Sequence, residues 1–427
     1  MSERPFDGIR VVEFGQFIAV PYCAMLLADG GAYVIKVESL DGDPTRHLAP
    51  MAPGETRHFI SRNRGKHSLP LNLKHPEAQR VIDALLAEAD VVLTNLRPGR
   101  AEELGLDYAT LSKRYPRMVV GNVTAFGHEG PDANLAGMDL VMQARSGLMA
   151  ANGRTQDGLP MAGDPPIIDY MCATMLAFGI SSALLRREHT GRGGEVDVAL
   201  LMAGFVLQNN LIMRVESVDG PIHEAALTRL SEARDRGESY LEQRADLPQM
   251  RTNSMSSVYY RTFATKDSTV AVACVSPSLQ RKLMRAVGLE DEGHTRTLAR
   301  EEQPGHYAAL QARIEATLAT KTTAEWKSIF DAHGVPASGV KFPIEILDDE
   351  QALANDFLFD LPHPQLGPVR VLSTPLRMDA EGFQSSPATA AFGSETRAIL
   401  ADAGFGESDI EALIPAGATS DQSHVAR

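Results

Sequence analysis

The segment from Ile9 to Glu38 constrains the fold more than any other part of the chain. Ile9 to Phe14 reads as a strand, Pro21 to Ala28 as an apolar helix, Gly30 and Gly31 as a turn, and Tyr33 to Glu38 as a second strand. Such a βαβ unit demands a parallel pair with a helix crossing one face of the sheet. The alternation continues. Pro76 to Ala89 reads as a helix leading into the strand Asp90 to Thr94, and Tyr108 to Tyr115 leads into Met118 to Val123. The predicted class is therefore α/β, with a large open Rossmann-like parallel-sheet domain at its N-terminal end.

Further along, an uncharged helical stretch from Tyr170 to Leu185 ends in Arg186, Arg187 and His189 before Gly191, cations and a glycine stop that suit a helix C-terminus. A short strand over Glu195 to Ala199 and a helix over Leu200 to Val215 follow. From Asp219 to Met255 the chain is polar and lacks strand signals, which reads as a linker. Beyond it come strands at Val258 to Thr262 and Thr269 to Val275 and helices at Ser278 to Val287, His306 to Leu318 and Thr323 to His333. These predict a smaller α/β domain. The expected division is 1–215 for the large domain, 216–257 for a linker arm, 258–342 for the small domain, and 343–427 for a segment returning to the large domain. Within that last segment a hairpin is expected around Val369 to Pro375, a helix over Ser394 to Ala403, and a frayed end from Ala416.

A chain of 427 residues with 44% apolar and 22% charged residues has the balance of a globular enzyme. Its formal net charge of −14 repels polyanions, so nucleic acid is an unexpected partner. The cysteines, Cys23, Cys172 and Cys274, are far apart and each sits in an apolar stretch, which predicts reduced core thiols and neither disulfide nor metal site. The N-terminus lacks the apolar run of a signal peptide, and Tyr170 to Leu185 is short for a bilayer span. A cytoplasmic enzyme without membrane partners is the expectation.

Four places carry candidate chemistry. The turn Gly15 to Pro21 puts backbone N–H groups and a helix start at the carboxyl edge of the sheet, suited to phosphate, although it lacks both GxGxxG and GxxxxGK[ST]. Asn63-Arg64-Gly65-Lys66 sets two cations about a tight turn, which reads equally as a phosphate grip or a solvated turn. Asn95-Leu96-Arg97-Pro98-Gly99 follows a strand at the same edge. Finally, two aspartates stand at helix starts: Asp139, with Gln143 one turn on, reads as a cap, and Asp169, in Pro165-Pro166-Ile167-Ile168-Asp169, reads from position alone as a cap as well.

Taken in order, Ile9 to Gln16, Leu26 to Glu38, Asn63 to Lys66, Asn95 to Gly99, Gly137 to Ala144, Leu184 to Asp197, Trp326 to Pro336 and Gly393 to Thr396 resemble the class III CoA-transferases. That family includes formyl-CoA and carnitine CoA-transferases and the α-methylacyl-CoA racemases. The resemblance implies coenzyme A or acyl-CoA as substrate, with no tightly bound cofactor and no metal. It further implies a carboxylic acid as the second substrate and an interlocked homodimer. It aligns the essential aspartate with Asp169. It carries CoA contacts onto Gln16, Ile18 and Ala19, onto Leu71, Asn72, Leu73 and Lys74, onto Asn95, Leu96 and Arg97, and onto the basic turn Arg64 and Lys66.

In the transferases the aspartate forms an anhydride and then a thioester with CoA, for which a helix start offers amides to a developing oxyanion. The racemases carry a histidine before the aspartate of the Gly137 to Ala144 motif. Here that residue is Met138, which exchanges no proton, so transfer is favoured over the alternatives of racemisation or CoA binding without turnover. Two departures stand out: Ser39 replaces a frequent arginine, and the glycine-rich covering loop of the family has no counterpart around Asn253 to Tyr259, which leaves Ser254, Met255 and Ser256 as candidates for a covering loop.

Overall fold

The computed structural model describes residues 4–245, 247, 258–379 and 382–421. Ser254, Met255 and Ser256 lie outside the described residues. Two compact units emerge, the larger from Met1–Arg214, Gly237–Arg244 and Gln351–Arg427, the smaller from Val215–Arg236 and Ala245–Glu350.

The larger unit is built on six strands: β1 (Arg10–Phe14), β2 (Tyr33–Glu38), β3 (Lys66–Pro70), β4 (Val91–Thr94), β5 (Val119–Thr124) and β6 (Gly194–Ala199). All pair in parallel in the order β3-β2-β1-β4-β5-β6. The chain runs outward from β1 to β3, then returns to the other side of β1. The carboxyl ends of β1 and β4 therefore diverge into a crevice, the usual ligand position in open α/β sheets.

Both faces of this sheet are covered. On one lie α1 (Ala19–Asp29) and the long helix Ile167–Thr190, whose buried residues Ile168, Cys172, Leu176, Ile180 and Leu184 recur at the spacing of one helical face. On the other lie Ala78–Ala87, Tyr108–Arg114 and two helices of the returning segment, Thr396–Asp402 and Glu407–Leu413. Ile167–Thr190 is long and apolar enough to cross a membrane by length and composition. One face of it packs on α1 and the sheet, while Phe178 and Leu185 on the rest of it are exposed. As expected, it ends at Gly191 in the left-handed region, φ 70°. All three cysteines are free and buried.

The smaller unit holds a three-stranded antiparallel sheet of Tyr260–Ala264, Thr269–Ala273 and Ala337–Gly339. Helices Pro277–Val287, Gln303–Leu318 and Thr323–His333 cover it around Trp326 and Phe330. The last of these starts on a capping box between Thr322 and Glu325.

Two local expectations need correction, and one region gains detail. The polar stretch after Asp219, expected as a linker without strands, is helical: Glu216–Asp235 is continuous despite Pro221, and Tyr240–Ala245 is another helix. Few of its residues are buried, so it carries no apolar period for a sequence to display. The helix expected over Leu200 to Val215 ends at Val206, and a separate turn covers Asn209–Ile212. The end of the chain is docked as far as Asp421: Asn72 N–H donates to the Ala418 carbonyl at 2.8 Å, and buried Thr419 bonds the Pro70 carbonyl through its hydroxyl. Short-range pattern cannot reveal a partner so far away in sequence.

Beneath the crevice, three strands contribute one charge each to a buried cluster. Lys36 Nζ lies 3.0 Å from Glu13 Oε1 and 2.9 Å from Asp43 Oδ2, and Lys66 Nζ lies 2.7 Å from Glu13 Oε2. Burial favours neutral lysines. For Lys36 the carboxylates of Glu13 and Asp43 win, and its ammonium is held above its ordinary value; for Lys66 burial wins over Glu13, with Lys36 adding repulsion, and it falls to about 8. Removing one partner of such a cluster costs about 3–5 kcal/mol, because the charge left behind stays desolvated. Glu13→Ala is therefore expected to lower stability by that order in denaturant unfolding followed by circular dichroism. A change under about 1 kcal/mol would mean that the cluster is not held together by Glu13.

Candidate active site

The crevice is shaped first by the turn after β1. Gly15 packs so tightly on α1 that a Cβ there would sit 2.2 Å from Val20 Cγ1. Its carbonyl accepts from Lys36 Nζ at 2.8 Å, tying the turn to the buried cluster. Gln16 and Asn95 then bond reciprocally: the Gln16 amide donates to Asn95 Oδ1 at 3.0 Å, and Asn95 Nδ2 donates to the Gln16 carbonyl at 2.9 Å. These two bonds clamp the carboxyl ends of β1 and β4. Phe17 follows at φ 66°, a left-handed conformation costing an L-residue about 1–2 kcal/mol. The chain thus enters α1 abruptly. Ile18, at the N-cap, has no side-chain oxygen to cap the first amides of α1, so the helix start favours an anion.

Two contiguous grooves run along this edge. One, of about 350 Å³, is lined by Gln16, Ile18, Ala19, Asn95, Leu96, Arg97, Met138 and Asp169. The other, of about 450 Å³, is lined by Leu71, Asn72, Leu73, Lys74 and Arg100 and shares Gln16 and Leu96 with the first. All the expected contact positions therefore lie along one trough except Arg64 and Lys66. Lys74 and Arg97 are exposed, and neither side chain pairs with a carboxylate among the described residues. Arg100, which the sequence reading missed, enters because the Pro98-Gly99 turn brings the next helix start to the rim.

Arg64 and Lys66 are not a solvated basic turn. Arg64 is buried on Asp29, with Nη2 2.6 Å from Oδ2, and Lys66 is buried on Glu13. Both cations are consumed internally, and neither lines the trough. A sequence shows charge beside a glycine but not the carboxylates that fold onto it.

Asp169 is the third residue of Ile167–Thr190, after Pro166 at the N-cap, so it does not cap its own helix. That task falls to Asp139. Its buried Oδ2 accepts from the amides of Ile168 at 2.8 Å and Asp169 at 3.1 Å, and Gln143 Nε2 bonds its Oδ1. Gln143 Oε1 in turn accepts from Gly163 N–H at 3.2 Å, fixing the approach to the helix. The expectation that Asp139 caps its own helix is corrected: it starts the helix Asp139–Arg145 but spends its carboxylate on another. The helix-start amides expected to serve an oxyanion are likewise occupied at Ile168 and Asp169. Burial, and then the charge of Asp139, raise the Asp169 carboxyl to about 7 against the opposing pull of Arg62. Arg62 itself donates to the Tyr170 hydroxyl at 3.1 Å. Among the described residues no group of histidine, cysteine or carboxylate side chains is placed to hold a metal ion.

A carboxyl raised to about 7 by burial, in a trough at the switch point of a parallel sheet, is suited to covalent acyl chemistry or proton transfer. Comparison with known proteins narrows this. Residues 6–396 match CoA-transferase family III. Cinnamoyl-CoA:phenyllactate CoA-transferase of Clostridium sporogenes is 29% identical over 96% of this chain and 95% of its own length. The probable fatty acyl-CoA transferase Rv3272 of Mycobacterium tuberculosis is 30% identical over 88% and 92%. A crystal structure of Rv3272 superposes with a TM-score of 0.75 at 27% identity, covering 93% of this chain and 99% of that one. A CAIB/BAIF family protein from Brucella suis gives 0.72 at 27%, covering 94% and 100%. The chain belongs to CoA-transferase family III and is an enzyme with that family's CoA-transferase activity.

Proposed function

We propose that the enzyme moves coenzyme A from an acyl-CoA to a carboxylic acid through covalent intermediates on Asp169. The observation that carries this reading is that Asp169 opens into the same groove as Gln16, Ile18, Ala19 and Asn95 to Arg97. In this arrangement the trough past Leu71 to Lys74 takes the nucleotide end of CoA, with Lys74 and Arg97 free to meet its phosphates, and the thioester lies at Asp169.

The ionised Asp169 attacks the thioester carbonyl, and the carbon–sulfur bond breaks to give a mixed anhydride and CoA thiolate. The thiolate attacks the aspartyl carbonyl, releasing the donor acid as its anion and leaving an aspartyl-CoA thioester. The acceptor carboxylate repeats the two steps in reverse and returns Asp169 to its anion. No proton needs a second side chain. That agrees with the groove lining, where Asp169 is the carboxylate present and Met138 stands where racemases carry histidine. The interlocked homodimer belongs to the same proposal. It is supported by large apolar side chains exposed on the larger unit, among them Phe178 at 77% and Met213 at 67%.

Incubation with a panel of acyl-CoAs followed by hydroxylamine and mass spectrometry is expected to map an adduct to Asp169, absent from Asp169→Ala. Asp169→Ala that keeps turnover would refute the nucleophile. The anion is the reactive form and its pKa lies near 7, so kcat/KM is expected to fall about tenfold per pH unit below that point. A flat profile from pH 5 to 8 would remove Asp169 ionisation from the mechanism. For the dimer, light scattering should give twice the chain mass. Two differently tagged preparations should fail to exchange subunits when mixed, since interlocked chains must unfold to separate.

A further inference from the structure

We infer that Asp139 is a positioning residue that favours acylation of Asp169 through its charge as well as its hydrogen bonds. The inference rests on Asp169 being the nucleophile. The geometry gives Asp139 two distinct effects. Its Oδ2 holds the amides of Ile168 and Asp169, which fixes where the Asp169 backbone begins the helix. Its other oxygen is held by Gln143, itself anchored to Gly163, so the carboxylate cannot swing away when its neighbour changes charge.

The electrostatic effect follows from the bonds made. In the resting enzyme the Asp169 anion sits in a half-buried site beside a second buried carboxylate. When Asp169 becomes an anhydride or a thioester, its charge leaves as CoA thiolate or as the donor acid's carboxylate. The like-charge repulsion from Asp139 is relieved at each covalent stage and restored when Asp169 is freed. Asp139 therefore raises the free enzyme towards its acylated forms and keeps the Asp169 oxygens more basic, hence more nucleophilic, than an ordinary aspartate.

The other groups facing Asp169 do not duplicate this. The Arg62 guanidinium opposes it, favouring the anion. Tyr170 is engaged with Arg62, and the Cys172 thiol, nearly one turn on, is pushed up by burial and remains neutral. Met138, immediately before Asp139, brings no charge.

Asp139→Asn tests the charge while keeping an oxygen to accept the two amides. The acidic limb of kcat/KM is expected to move down by about one pH unit, with the aspartyl-CoA fraction at equilibrium falling about tenfold, since one unit is a factor of ten in the ionisation balance. Gln143→Leu, which loosens the carboxylate but keeps its charge, serves as the second variant: it should lower kcat without moving the limb as Asp139→Asn does. If the unaltered enzyme forms its adduct on Asp169 and Asp139→Asn leaves limb and adduct fraction unchanged, Asp139 is only a cap and the inference falls. If the unaltered enzyme forms no adduct on Asp169, the nucleophile reading fails and takes this inference with it.

Discussion

The architecture of the larger unit hangs on Glu13. From β1 this one buried side chain reaches Lys36 on β2 and Lys66 on β3, and Lys36 also holds the Gly15 carbonyl at the start of the turn into α1. Apolar packing would hold the same strands together without setting where the turn leaves the sheet. Ion pairs do set it, because a buried charge tolerates little displacement from its partner. With Gly15 fixed, the reciprocal bonds of Gln16 and Asn95 set the width of the crevice, and the left-handed Phe17 turns α1 towards it. Position thus propagates from a desolvated ion cluster, through one carbonyl, to the turn and helix start that line the crevice.

Asp169 is placed on opposite principles. Where the Glu13 cluster matches charges, the Asp139 and Asp169 pair brings like charges together and pays in stability. Ionising Asp169 costs more in the folded protein than in the unfolded chain: its contribution is fully favourable below the ordinary carboxyl range and is lost as pH rises through about 7. A site held poised in this way must be braced from outside. The bracing is the helix Asp139–Arg145, the Gln143 link and the long apolar helix packed against the sheet.

The sequence made some of this legible and hid the rest, for identifiable reasons. The parallel sheet could be read because buried strands and covering helices impose local periods, and the crevice because the βα turns at Gly15 and Asn95 fall at the strand ends. Residue-level chemistry was less accessible. Arg64 and Lys66 look alike as turn cations until Asp29 and Glu13 are seen beneath them. Asp139 looks like a local cap because its true partners, the amides of Ile168 and Asp169, lie 29 and 30 residues further along the chain. Helix Glu216–Asp235 escaped because an exposed helix has no apolar face to announce it.

Met138 bears on reaction choice through geometry as well as composition. It occupies the N-cap of the helix whose first residue is Asp139, so its position relative to the Asp169 helix start is set by the same cap that orders Asp169. Met138 and Asp169 line the same groove, so a proton acceptor in place of Met138 would put a second titratable group beside Asp169 there. A thioether there offers only apolar contact, and 51% of its surface is open to the groove and solvent. On the proposed mechanism Asp169 is the one reactive group of this groove, and one carboxylate alone can exchange acyl groups but cannot invert a carbon by a two-base route. On the proposed mechanism, methionine at this cap position favours transfer over a two-base racemisation.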